Sequence, residues 1–253
     1  MKDLSLGDLV LVGPNKYEPI YSFAHYHNTT EALFLRVHIN KGGRPLEITP
    51  DHMIQMDGGR FVPASSLKVG DRVQFVGMDG EMATASVTQV RQTKSLGAYA
   101  PFTPSGTIVV DGVVASNYIA IQENSMDVPT VFGKLALPVT FQWLAHASQA
   151  PHRLWCISLN LCHQETYNED GISTWIVGPA RLLEWEKDLG EPFQAIVLVL
   201  AVVVFFVFFV VEMVVCDVIQ YRLLAAWCLV AALFLFHLLG NRSRRVQRAD
   251  CCR

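Results

Sequence analysis

The chain has 253 residues, of which 51% are hydrophobic and 17% charged, and its formal net charge is -3. A charge so near neutral excludes a broad basic surface for nucleic acid. The average composition describes neither half, because residues 1–122 hold 12 of the 17 glycines and no cysteine, whereas 192–240 are almost wholly apolar.

The opening stretch, Leu4-Ser5-Leu6-Gly7-Asp8-Leu9-Val10, returns as Leu67-Lys68-Val69-Gly70-Asp71-Arg72-Val73. Glycine before aspartate suits a turn that feeds a strand, the glycine taking a positive φ and the aspartate bonding nearby amides. The repeat predicts two related halves packed as a pseudo-twofold pair. Between and after the copies, short runs rich in β-branched and aromatic residues alternate with turn signals at Gly42-Gly43, Gly58-Gly59 and 77–81. Asp111-Gly112 favours a type I′ hairpin turn. With no helical period before about Met126, residues 1–122 read as an all-β module of many short strands.

Further along, residues 192–211 form an uncharged run of 20 residues. At 1.5 Å per residue a helix of that length covers about 30 Å, a bilayer core. Residues 223–239, with His237 the only polar side chain, read as a second span or as a helix lying partly in the interface. The final 13 residues, 241–253, carry five arginines, which the positive-inside rule places in the cytosol. Cys251 and Cys252 are candidates for palmitoylation there. Asn28-Thr29-Thr30 and Asn241-Arg242-Ser243 fit the N-glycosylation pattern, which gains meaning only with topology.

The doubled Leu-x-x-Gly-Asp-x-Val, "EITPDHMI" at 47–54 and above all "GAYAPFTPSGTIVVDGVVASNY" at 97–118 resemble the Hint module of hedgehog proteins, the autoprocessing fold shared with inteins. "WLAHASQAPHRLW" at 143–155 resembles the stretch that follows that module in hedgehogs. The resemblance implies self-cleavage. A cysteine opening the module attacks the preceding carbonyl, and the resulting thioester passes the upstream polypeptide to a second nucleophile: water, a sterol or another group.

The same resemblance assigns residues. Thr49 and His52 match the family's Thr-x-x-His, with His52 as general acid toward the departing amide nitrogen and Thr49 bonding and orienting the scissile peptide. His25 falls where hedgehogs carry the aspartate that activates the sterol hydroxyl, so activation by a base survives while sterol as acceptor is in doubt. Asn117 stands where hedgehogs carry cysteine and is expected to make hydrogen bonds near the site. A metal held by His25, His27 and His52 lacks a fourth ligand, and no metal or cofactor is expected. The nucleophile itself is missing, since no cysteine precedes Cys156. Either the sequence starts at an internal methionine of a longer protein, or this is an inactive copy; the first also accounts for the absent secretory signal.

The expected organisation is a Hint autoprocessing domain at 1–122 and a linker or adduct-recognition-like region at 123–191. One or two transmembrane helices at 192–240, folded as a hairpin if two, and a basic cytosolic tail at 241–253 follow. Expected partners are membrane lipids, the acceptor nucleophile and a covalently attached upstream polypeptide, without nucleic acid. Two spans keep the module in the cytosol and one places it in the lumen. The rival expectation is a membrane-anchored Hint fold that only binds.

Overall fold

The computed structural model describes residues 1–41, 43–120, 128–131, 135–158, 167–187, 189–190, 192–218 and 222. Two compact units divide the chain, residues 1–209 and 210–253. In the first unit, hairpin β1 (Leu9–Gly13) and β2 (Lys16–Pro19) leads into β3 (Ser22–Ile39). Then come β4 (Leu46–Ile48), β5 (His52–Gln55), β6 (Phe61–Pro63), β7 (Arg72–Val76), β8 (Met82–Phe102), β9 (Thr107–Val110) and β10 (Val113–Ile119). Eight of these form one sheet in the order β4-β3-β8-β7-β10-β5-β6, with β9 on β10.

The two repeat copies close in the same way. Asp8 Oδ2 accepts from the Ser5 amide and Asp71 Oδ2 from the Lys68 amide, both at 2.8 Å. Gly7 (φ +88) donates to Ile20 O and Gly70 (φ +97) to Val87 O, again both at 2.8 Å. The long strands that follow, β3 and β8, pair antiparallel from Ser22↔Phe102 to Ile39↔Val87. Antiparallel pairing of equivalent strands is what a twofold axis between the halves produces. β5 and β10 pair antiparallel as well, bringing Ile119 opposite His52. Asp111 (φ 48) and Gly112 (φ 86) both take positive φ between β9 and β10, the type I′ geometry expected of Asp-Gly.

Inward residues of these strands, among them Val37, Leu46, Ile54, Val73, Val87 and Val113, form the main core. The described residues between 128 and 190 form both strands and helices. A small ladder of β11 (Thr130–Val131) and β12 (Leu135–Ala136) precedes α1 (Phe141–Ser148), α2 (Ala150–Arg153) and α3 (Thr174–Lys187). Thr140 caps α1 by accepting from the Trp143 amide at 3.0 Å, and Phe141, Leu144 and Ala147 are its buried side. A second cluster of Tyr21, Phe102, Tyr118 and Cys156 ties this helical region to the strands, and Cys156 is disulfide-bonded.

Helix α4 (Pro192–Val218) has 27 residues and contains an 18-residue window of mean hydropathy 3.2, long and apolar enough to cross a membrane. It continues beyond Glu212 to include Asp217. The expected second span at 223–239, the arginine-rich tail, Cys251 and Cys252 lie outside the described residues.

Candidate functional site

Four of the side chains singled out in the sequence, His25, Thr49, His52 and Asn117, meet at one cavity of about 100 Å³. They come from four places in the chain. Thr49 follows β4, and a tight turn in which the His52 amide donates to Thr49 O (3.2 Å) carries it to His52 at the start of β5. His25 is on β3 opposite Ala100. Asn117 is on β10, beside β5.

The Thr49 hydroxyl meets His52, with Oγ1 2.5 Å from Nδ1. That bond fixes the imidazole ring and leaves Nε2 without a hydrogen bond among the described residues. Burial pushes the His52 imidazole down to about 4, the neighbouring His25 adds to the depression, and Asp51 partly opposes it. His52 is therefore neutral at physiological pH. His25 Nε2 donates to the Asp170 carbonyl at 2.7 Å, which leaves the Nδ1 lone pair as the basic position.

Asn117 is buried. Its Nδ2 donates to Thr103 Oγ1 (2.9 Å) and Thr103 in turn donates to Thr107 O (2.7 Å). Its Oδ1 is buried with no hydrogen-bond partner among the described residues. An unpaired buried carbonyl costs about 1–3 kcal/mol, so an occupant of the cavity that donates to it recovers that energy. His27 turns to its own strand instead, Nδ1 accepting from Thr30 Oγ1 (2.8 Å) and the Thr30 amide (3.1 Å). Among the described residues no group of three or more His, Cys, Asp or Glu side chains is placed to hold a metal.

Two supports of the site come from residues to which the sequence assigned no role there. The loop 167–173 lies along β3, with Tyr26 N donating to Gly171 O (2.8 Å), Ser173 N to Ala24 O (3.0 Å) and Ile172 bridging His25. Asn168 Oδ1 closes that loop by accepting from Ile172 N at 2.8 Å. The Asp170-Gly171 turn signal was available to find it. Gly171 (φ +77) is required, because a Cβ there would meet Tyr26 O at 2.6 Å. The second support is α1. Ser116, which also lines the cavity, donates to Gln142 Oε1 at 2.6 Å. His146 Nδ1 lies 3.1 Å from the Tyr118 hydroxyl. Burial and the Arg153 guanidinium push His146 down to about 3, against Glu18, so it stays neutral; with Arg153 Nη1, a donor, 3.4 Å from the same Nδ1, that nitrogen accepts a hydrogen bond from the Tyr118 hydroxyl. No alternation or helical period in the sequence announces these pairings between β10 and α1, since they join residues 26 and 28 positions apart.

An all-β body whose two Leu-x-x-Gly-Asp-x-Val copies feed equivalent, antiparallel-paired strands has the pseudo-twofold, intein-like architecture. The protein-family profile described as "Hint module" matches residues 1–177, and the chain belongs to that family, in its hedgehog type. The Sonic hedgehog protein of Danio rerio is 26% identical over 167 residues, covering 61% of this chain and 36% of that protein. Protein hedgehog of Drosophila ananassae is 31% identical over 134 residues, covering 49% of this chain and 28% of that one. The chain thus spans about a third of the length of these relatives. Among solved structures, the Ssp DnaB mini-intein variant M86 matches with a TM-score of 0.39 and 9% identity, over 48% of this chain and 81% of that one.

Proposed function

We propose that the chain is a hedgehog-like autoprocessing module that releases an upstream polypeptide through a thioester and passes it to a second nucleophile. The observation that carries this reading is the Thr49–His52 pair, 2.5 Å apart, sharing one cavity with His25. His52 Nδ1–H donates to Thr49, so the neutral Nε2 takes the thiol proton as sulfur bonds to the scissile carbonyl carbon. Nε2 then returns that proton to the amide nitrogen as the C–N bond breaks, giving a thioester and a free amine. In the second step His25 Nδ1 takes the acceptor's proton, the acceptor bonds the carbonyl carbon, and the C–S bond breaks to release thiolate, which takes that proton back from His25. Thr49 orients His52, and Asn117 Oδ1 receives a hydrogen bond from the peptide N–H or the acceptor.

Residues 1–155 contain no cysteine. In this reading the thiol lies ahead of Met1, and residues 1–253 alone release nothing. The same observation favours a second reading, a Hint fold that binds without cleaving. α4 anchors the module in a membrane, with the module on the secretory side.

The test joins a cysteine-bearing first strand from a related Hint module to Met1, behind a reporter. His52→Ala is expected to leave the precursor intact even with dithiothreitol. His25→Ala is expected to keep thiol-induced cleavage and to slow release by the natural acceptor, because a small thiol supplies its own anion. Equal loss of both activities in both variants refutes the division of labour. An intact precursor in the unaltered fusion supports the binding reading.

A further inference from the structure

The Asn28-Thr29-Thr30 triplet has the acceptor pattern for an N-linked glycan, a pattern common enough to mean little without its surroundings. The fold supplies those surroundings. β3 follows β8 as far as His27↔Ala98 and resumes at Glu31↔Leu96, so residues 28–30 bulge out opposite the single residue Gly97 (φ +90). All three are exposed. The bulge is closed from within: the amides of Thr29 (3.3 Å) and Thr30 (3.1 Å) and the Thr30 hydroxyl (2.8 Å) all turn onto His27 Nδ1. The Asn28 carboxamide takes no part in this closure and makes no hydrogen bond among the described residues. A sugar on it therefore breaks nothing.

A separate observation gives the compartment. Cys156 is disulfide-bonded and packs with Tyr21 and Phe102, which flank β3 and end β8. Disulfides form and persist in oxidising compartments such as the secretory lumen. Cys156, Tyr21 and Phe102 share one cluster with the strands that carry the bulge, so Asn28 is on the oxidising side.

We propose that Asn28 carries an N-linked glycan added in the secretory lumen. The donor is a lipid-linked sugar pyrophosphate. Asn28 Nδ2 bonds to C1 of the sugar, the bond from C1 to the pyrophosphate oxygen breaks, one amide proton passes to a base of the transferase, and the lipid pyrophosphate leaves. Nothing is oxidised or reduced. The glycan stands on the strand that holds His25 and covers Leu96, whose side chain is 71% exposed beside the bulge. It also fixes the module as lumenal, so the number of membrane crossings between it and a cytosolic tail is odd. The inference uses the compartment and not the autoprocessing chemistry, and a chain that never cleaves still becomes glycosylated.

The test expresses the full chain in mammalian cells behind a cleavable secretory signal and follows its mobility before and after peptide N-glycosidase. One glycosidase-sensitive shift is expected, lost in Asn28→Gln and Thr30→Ala and kept in Thr29→Ala and Thr30→Ser. Transfer occurs on the emerging chain, so a folding defect in a variant does not mask the result. Absence of any shift overturns the proposal, as does a shift that survives Asn28→Gln, which assigns the sugar to Asn241. For protein recovered from cells that make it naturally, glycosidase treatment in heavy-oxygen water is expected to convert Asn28 to labelled Asp. Unlabelled, unconverted Asn28 there overturns it equally.

Discussion

The most informative perturbation is protonation of His52. Its imidazole is held at about 4 by burial, against an ordinary value of 6.5. The unfolded chain therefore takes up the proton first as pH falls. Stability from keeping this ring neutral is fully present above pH 6.5 and is lost progressively as pH falls through the window from 6.5 to about 4. A depression of this size corresponds to about 3 kcal/mol of differential stability, of order a fifth to three-fifths of what a typical domain has. At pH 7 only about one imidazole in a thousand is charged, which is why the proposed cycle begins with proton uptake from the thiol. The assay is urea denaturation in detergent micelles between pH 7.5 and 4, comparing the native sequence with His52→Gln, an uncharged side chain able to bond Thr49. The native chain should lose stability more steeply below pH 6.5, while His146, held at about 3 by burial and Arg153, contributes a similar slope to both. Parallel pH profiles, or a His52 proton resonance that titrates near 6.5, refute the reasoning.

Other consequences follow from specific contacts. Gly112→Ala places a Cβ against the Phe75 ring at φ +86 and should destabilise by about 2 kcal/mol or more, read as a lower Tm; an unchanged Tm removes the type I′ turn from the account. Gly171→Ala pushes the loop off Tyr26 O and His27, and in a cysteine-restored fusion it should imitate His25→Ala, slowing release by the acceptor while sparing thiol-induced cleavage. Residues 1–253 behind a reporter should release nothing on addition of hydroxylamine, and release that depends on Thr49 and His52 would place the nucleophile within the chain. Because α4 is uncharged over its first 20 residues, the chain should resist alkaline carbonate extraction, and its recovery in the soluble fraction would exclude a membrane span.

What the sequence by itself determined was local or repeated. The doubled Gly-Asp turns, the Asp111-Gly112 hairpin and the apolar run of α4 each depend on residues within one turn or one helix, where φ preference, Asx bonding and transfer from water act without knowledge of the rest. The Thr49-x-x-His52 pair was legible only through its match to the family's Thr-x-x-His, a pattern short enough to be read within one turn. The tertiary structure alone decided what meets them. It brought His25 and Asn117 to the same cavity, set the loop 167–173 on β3 with the Asp170 carbonyl holding the His25 ring, and joined Gln142 to Ser116. It also set the protonation of His52, because desolvation depends on which strands close over the ring and not on which residues adjoin it. Thr49 shows the boundary between the two. Its identity and spacing were in the sequence, but its hydroxyl had several partners within reach, and only the β4–β5 turn, pinned against β10, pointed it at His52.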